Sequence, residues 1–527
     1  MSQLTAGARV LTRTGAARPA HLMRFARALR TWDRTPAACL TAQAATRPDQ
    51  PFVVDELGTL TFGEVQHRTN AIAFGLAEAG VRAGSRVGLM CRNHRGFVEG
   101  MLASSKVGAT TLLLNTDFAG PQLHGVLERE QPSMLIYDEE FHTLLSGEAI
   151  EAKRLIGWHD GTPPAPTLER LAAGATDIAP RPPASPGRTV ILSSGTTGTP
   201  KGVRRPGSTP LGPLIALLDR IPLRGSETHV IPAPMFHGWG FLHLNLALIL
   251  GATVAMRRRF DPEATLALIA AHGAASAPMV PVMLQRIMQL DPATLAAHDT
   301  SSLRAIPLGG SAIPAGLAER AMDALGEVVY NIYGSTEVAL ATCAGPADLR
   351  AAAGTAGTPL EGTIVRILDD AGNEVPHGAT GRIFVGSDLR SDGYSGGGAK
   401  ENIGGLLSSG DLGHLDADGR LFVEGRDDEM IVSGGENVYP GEVERLLERH
   451  PRVAEVAVIG VTDEDYGQRL RAFVVPVAGA QLDADAVRAH VRGTLARYKV
   501  PRDVTFLDEL PRNPTGKVLK RELEGRS

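Results

Sequence analysis

The sequence predicts an α/β protein: a large N-terminal domain of layered α/β subdomains plus a β-rich subdomain, followed by a small α+β C-terminal domain. Three observations carry that expectation. From residue 35 onward, short apolar runs alternate with amphipathic stretches of helical period, the pattern of a sheet layered with helices. From about 355 to 424 the texture turns to short strands ("TIVRILDD", "GRIFVG", "GRLFVEG") broken by Asp-Gly and Gly-Asn turns. A compact α/β tail then begins at "GRDDEMIVSGGENVYPGEVERLLERH". At 527 residues the chain exceeds what one core organises. The expected division is a basic arm at 1–34, a large domain at 35–427 and a small domain at 428–527.

The elements follow in order. "PFVVDE" and "GTLTFGEVQHRTNAIAFGLAEAG" read as a hairpin running into a helix, and "RVGLMCRN" as a buried strand. "GFVEGMLASSKVGATTLLLN" reads as helix then strand, and "SMLIYDEE" as another strand. The Pro-rich stretch 160–188 is a surface connection. Beyond it come a strand at "TVIL", the turn "THVIPAPMFHGWG", the helical "FLHLNLALILG" and the strand "ATVAMRR". "LRAIPLGGSAIP" and "GEVVYNIYGSTEVA" each read as a buried strand delivering a polar turn. Open parallel sheets bind ligands at the carboxyl ends of their strands, where this reading puts all the polar turns.

Composition narrows the function. With 43% hydrophobic and 21% charged residues the chain has a globular make-up, and a net charge of -5 gives no reason to expect nucleic acid. Cys39, Cys91 and Cys343 stand far apart without a CxxC, and no histidine partner is expected beside them. That argues for a reducing, cytoplasmic compartment and against a zinc site. No apolar run is long enough to span a membrane. The first 32 residues carry arginines and no acid, and a helix over 21–32 puts Leu22, Met23, Phe25, Ala26, Leu29 and Trp32 near one face. Such a segment rests on an anionic membrane surface, packs on the protein body, or directs targeting; the sequence leaves all three open. Oligomeric state is not legible.

The stretch "ILSSGTTGTPKGV" (191–203) gathers hydroxyls, glycines and one lysine between two apolar ends. Gly195, Gly198 and Gly202 permit close backbone approach. Backbone N–H groups and the hydroxyls of Ser193, Ser194, Thr196, Thr197 and Thr199 can then surround an anion, to which Lys201 adds a point charge. Phosphate is the implied guest. The spacing is not that of the phosphate loop of nucleotide hydrolases, because Pro200 precedes the lysine and Gly202 follows it.

Taken in order, this loop, "YGSTE" at 333–337, "SGD" at 409–411, "GRDDEMIVSGGEN" at 425–437 and "PRNPTGK" at 511–517 resemble the adenylate-forming superfamily of acyl- and aryl-CoA synthetases, luciferases and peptide-synthetase adenylation domains. The resemblance runs from residue 35 to the chain end. It implies ATP, Mg2+ and coenzyme A as cofactors, and a two-step ligation through acyl-AMP with pyrophosphate release. The glycine loop would hold the β- and γ-phosphates, Thr336 the α-phosphate, and Glu337 magnesium, with Ser193 as a second ligand. Tyr333 would stack on adenine, with Asn331 and the backbone of Gly310, Ser311 and Ala312 at its polar edge; Gly334 and Ser335 complete that turn. Asp411 matches the ribose ligand, Arg426 a ribose or phosphate contact, and Lys517 the lysine that reaches the forming carboxyl–phosphate bond. His237 matches the residue gating acyl and thiol access. Asp428 matches the hinge about which the C-terminal domain swivels for the second step, bringing Gly434, Gly435 and Glu436 to the pantetheine path.

The sequence departs from the family pattern before Asp411, where "GGLLSSGD" replaces an aromatic-containing segment, and at Val432, where many relatives carry lysine. Met235, Trp239, Phe241, Met279 and Val280 make an apolar acyl lining, with Gly238, Gly240, Gly309 and Gly310 leaving space, and no charge there would pair with an amino group. A medium- or long-chain fatty acid is the first expectation and an aryl acid the second. The alternatives are an acyl-AMP ligase loading a carrier protein and a non-catalytic nucleotide-binding relative.

Overall fold

In the computed structural model the first elements form as their patterns require. Strands Pro51–Asp55 and Gly58–Thr61 pair antiparallel and lead into the helix Phe62–Glu78. That helix starts at a capping box in which Thr61 and Glu64 satisfy each other's backbone N–H groups. The description covers residues 2–15, 19–118, 120–145, 152–193, 201–204, 212–388, 393–394, 399–429, 431–433, 436–463, 467–495, 499–513 and 516–525. Two compact units are present: Met1–Met279 with Gln289–Pro307 and Asp388–Ala399, and Val280–Met288 with Leu308–Ser387 and Lys400–Ser527.

The first unit is built on a seven-stranded sheet. Its five parallel strands are ordered Thr189–Ser193, Thr110–Leu113, Arg86–Met90, Met134–Asp138, Lys153–Trp158, and Lys201–Arg204 and Gly393–Tyr394 add antiparallel beyond Thr189–Ser193. The parallel strands are continuous apolar runs because both faces are covered; Leu112, Leu135, Tyr137 and Ile156 are among the buried residues of one core cluster. A second sheet joins the first hairpin to Thr253–Ala255 and Thr228–Val230.

The N-terminal arm is helical over Ser2–Arg13 and Pro19–Trp32. Its first helix is anchored by Arg9, which grips Asp219 with two hydrogen bonds. In the second, Trp32 and Ala28 are buried and Phe25 and Leu29 pack with them against Ala37, Ala38 and Ala42. The expected apolar face is therefore only partly inward: Leu22 and Met23 point outward, 46% and 68% exposed.

The second unit holds three sheets. Val329–Ser335, Ala339–Ala344 and Thr358–Pro359 form one antiparallel meander. Ile364–Leu368, Gly381–Gly386, Leu406–Leu415, Asn402–Ile403 and Leu421–Arg426 form the β-rich layer anticipated for 355–424. In the tail, Gly467–Pro476 pairs with Val453–Asp463, Ile431–Ser433 and the parallel Asp503–Phe506, over a core including Val443, Leu447, Val458, Leu470 and Val487.

Candidate active site

"GSTE" is the tip of an antiparallel hairpin between Val329–Ser335 and Ala339–Ala344, and on its other edge Val329–Ser335 neighbours the strand Ile306–Leu308. The register slips between Tyr333 and Gly334, and a Cβ at 334 would run into the Ala339 carbonyl oxygen. Ala339 sits at φ 61°, a strained choice for a residue with a Cβ. The Ser335 hydroxyl accepts N–H groups of Glu337 and Val338, both at 3.3 Å, and donates to Glu337 Oε2 at 3.1 Å. The tip thus presents a hydroxyl, Thr336, beside a half-buried carboxylate folded over its own turn.

Asp411 is presented by register. Leu406–Leu415 and Leu421–Arg426 pair so that Asp411 faces Arg426, whose guanidinium reaches Oδ1 at 3.0 Å. The Tyr333 hydroxyl donates to Oδ2 at 2.6 Å. Burial holds the Asp411 carboxyl above its ordinary value, while Arg426, Tyr333 and Lys517 draw it back down. Burial and the neighbouring aspartate push the Tyr333 phenol well up, so it stays a donor. The unusual "SSGD" proves to be a brace. The buried Ser409 hydroxyl donates to the Ile383 carbonyl and accepts the Asp411 N–H, and Ser408 accepts the Gly410 N–H. Gly410 takes φ 78°, and its missing side chain leaves room for Lys400 and Arg426.

Lys517 stands on a bracketed turn. Asn513 Oδ1 accepts the Lys517 N–H and the Asn513 N–H donates to the Lys517 carbonyl, each at 2.9 Å. Arg512 donates to the Gly516 carbonyl at 2.6 Å. Gly516, at φ 76°, is so close to Val282 that a Cβ there would collide with it. This turn brings Lys517 within electrostatic reach of Asp411.

Other expected residues are placed less fully. Ser193 and Lys201 face each other across an antiparallel pair, closing the glycine loop; Ser194, Gly195, Thr196, Thr197 and Gly198 lie outside the described residues. Gly434 and Gly435 do so too, with Glu436 opposite Ser433 in a two-strand ladder. Asp428 is in the 3-10 turn Asp427–Glu429. Gly310 has φ 91°, followed by a half-buried Ser311 and an exposed Ala312. Asn331 has a structural job: its amide donates to the Thr355 carbonyl at 2.9 Å.

In the first unit His237 precedes the helix Gly238–Leu250, and enclosure by protein pushes its imidazole down to about 4, leaving it neutral. Trp239 is fixed by its indole N–H on the Met279 carbonyl at 2.9 Å and packs edge-on against His243. Asn93 pins the approach, donating to the carbonyls of Ile231 and Ala233 and accepting the Met235 N–H. The buried imidazoles of His229 and His243 and the Ser276 hydroxyl lack hydrogen-bond partners among the described residues. The expectation that no cysteine has a histidine nearby fails: Cys91, His94 and Asp138 place ligand atoms within 4.8 Å of one another. They fit a structural brace better than a metal. His94 Nδ1 accepts the Gly96 N–H, its Nε2 lies 2.7 Å from Asp138, and the other Asp138 oxygen accepts the Arg92 N–H.

Lys400, Ser408, Ser409 and Asn93 escaped sequence reasoning. Lys400 was hidden in a glycine-rich stretch, and the serines were masked by their departure from the family pattern.

Residues 40–395 match the AMP-binding enzyme family and 442–517 the AMP-binding enzyme C-terminal domain. The chain is similar to the indoleacetate–CoA ligase of Aromatoleum aromaticum, 34% identical over 474 residues, covering 88% of this chain and 92% of that protein. It is also similar to the fatty acid–[acyl-carrier-protein] ligase ScoC of Streptomyces coeruleorubidus, 32% identical over 505 residues, covering 92% and 94%. Among solved structures it resembles the o-succinylbenzoate CoA synthetase of Bacillus subtilis in complex with its acyl-adenylate intermediate OSB-AMP. The TM-score is 0.80 at 28% identity, covering 93% of this chain and 98% of that one.

Proposed function

Since the chain belongs to the AMP-binding enzyme family and is an AMP-forming acid–CoA ligase, we propose that the acid it activates carries an aromatic ring. The observation carrying this choice is the similarity to ligases named for indoleacetate and o-succinylbenzoate, both ring-bearing acids. The anchored, half-buried Trp239 supplies apolar, flat-sided surface suited to a ring, with the buried Met235 and Phe236 nearby in sequence. A fatty acid, the first expectation from sequence, becomes the second reading, favoured by the resemblance to ScoC, which also raises a carrier-protein thiol as the acceptor. Pyrophosphate release with CoA, run across alkanoates of graded length and arylacetic, cinnamic and benzoic acids, decides between them. The highest kcat/KM is expected with a ring-bearing acid; a maximum among the alkanoates would favour the second reading.

In the first step a carboxylate oxygen attacks the α-phosphorus and pyrophosphate leaves. Two anions must meet, so the work is positioning and charge stabilisation. Asp411 accepts the ribose hydroxyls, for which its oxygens retain lone pairs beyond those used by Tyr333 and Arg426. Thr336 and the glycine loop hold phosphate oxygens, and Lys517 brings its ammonium to the forming bond. The hard oxygen donors at the hairpin tip fit magnesium, which Glu337 would hold with Ser193. When bound, the ion neutralises phosphate charge.

In the second step the thiol attacks the acyl carbonyl and AMP leaves. One lobe cannot offer Lys517 and the thiol path together, so Asp428 would serve as hinge at a 427/428 boundary, with Gly434, Gly435 and Glu436 on the thiol side. Asp428→Pro should spare ATP–pyrophosphate exchange and block thioester formation; a normal second step would remove the hinge. The arm adds a membrane contact to this reading. Arg24, Arg27 and Arg30 share the outer side of their helix with exposed Met23, a face complementary to anionic lipid. Cosedimentation with vesicles containing phosphatidylglycerol, but not with phosphatidylcholine alone, is expected; equal partitioning would refute the contact.

A further inference from the structure

We propose that the helix Pro440–Glu448 is a latch holding the C-terminal lobe in its acid-activating orientation, with Arg445 and Glu448 as positioning residues and Gly441 as the point of closest approach. The proposal rests on the two-orientation reading above and adds what holds one of the two orientations.

Gly441, Arg445 and Glu448 are spaced i, i+4, i+7, so they share one face of the helix. Each meets the part of the second unit that precedes the hinge. Gly441 lies so near the Glu424 carbonyl oxygen that a Cβ would collide with it. Arg445 donates to Glu424 Oε2 at 2.7 Å and to the carbonyls of Val423 and Glu424, both at 3.3 Å. The other Glu424 oxygen is taken by His414 at 2.8 Å, which fixes the carboxylate for the arginine. Glu448 accepts the Ala315 N–H at 3.0 Å, a few residues beyond the expected adenine-edge segment Gly310, Ser311 and Ala312.

The lobe's own stability does not explain this face. A carboxylate in the last turn opposes the helix dipole, and a glycine inside the first turn weakens the helix relative to alanine. Both choices make sense as contacts with the body. With the helix seated, Gly516 packs on Val282 and Lys517 acts on Asp411, so the latch and the lysine turn engage in the same orientation.

The test uses the full-length enzyme and two half-reactions: ATP–pyrophosphate exchange with the best acid of the panel, and thioester formation from its synthetic adenylate plus CoA. Gly441→Ala and the double variant Arg445→Ala/Glu448→Ala should each lower exchange about tenfold and leave the second half-reaction intact or faster. Gly441→Ala keeps the lobe foldable, because alanine favours the helix and clashes only when it is seated. Glu448→Gln alone should keep exchange near the parent level, since its amide oxygen still accepts the Ala315 N–H. Parallel losses in both half-reactions, or undiminished exchange in Gly441→Ala and the double variant, would overturn the latch. Lys517→Ala separates the levels. Loss of exchange with an intact second step upholds the two-orientation reading whatever the latch variants do; retained exchange would take down that reading and the latch with it.

Discussion

Glu337 and Asp411 are the two acids proposed to frame a nucleotide, and they are held in different ways. Glu337 sits half-buried at a hairpin tip, its carboxylate leaning on a hydroxyl of its own turn. Asp411 is locked between a phenol and a guanidinium in a strand ladder, behind a serine brace. The difference matches the partners proposed for them. A magnesium ion arrives with waters and phosphate and needs a carboxylate that can adjust. A ribose must be met by acceptors already aimed, because its hydroxyls offer little energy with which to reorganise the site.

The contrast can be broken most forcefully at the first acid. Glu337→Gln should lower exchange about 100-fold and raise the magnesium concentration needed for half-maximal rate; an unchanged magnesium dependence would move the ion elsewhere. Asp411→Ala should act on ATP, raising its KM about tenfold with a smaller change in kcat. The parent enzyme should discriminate against 3′-deoxy-ATP, whereas in that variant the analogue should lose nothing further. Tyr333→Phe should raise the KM for ATP about threefold. It also removes a donor that lowers the Asp411 pKa, so the acid limb of the KM profile should move to higher pH.

The smallest effect belongs to Glu448. Burial raises its carboxyl from 4.5 to about 7 when the lobe is seated; Glu444 adds to the rise, and the Ala315 N–H, Arg445 and Arg512 oppose it. A pKa raised in the seated state means that seating takes up a proton. Its contribution is full below the ordinary carboxyl value and is lost as pH rises through about 7. The ratio of exchange to thioester formation should therefore decline through that range, and Glu448→Gln should flatten it.

Most of the fold was legible because its strands are short apolar runs between strong turn residues, and parallel burial leaves little ambiguity at "RVGLM" or "MLIYD". The apolar face expected of the arm was only partly realised, for a physical reason. Its helix packs through Ala28 onto Ala37, Ala38 and Ala42, and alanines allow close approach without advertising an apolar face, so Leu22 and Met23 were free to turn outward. In the site, Tyr333, Asp411 and Lys517 could be named from local motifs. Their joining could not, because the pairing of Asp411 with Arg426 follows from sheet register and the Lys400 approach from a bare Cα at 410. Nothing local marks Glu448, a carboxylate whose partner is an amide 133 residues away.

The bare tip at Gly516 sets a depth stop. Because its Cα rests on Val282, the reach of the Lys517 side chain is measured from a backbone that has come as far forward as atoms allow. A single methyl there would withdraw the whole turn and leave the ammonium short of its target without touching its charge or its flexibility. The insertion distance of the cation proposed to act is thus written at a neighbouring position that contributes no functional group of its own.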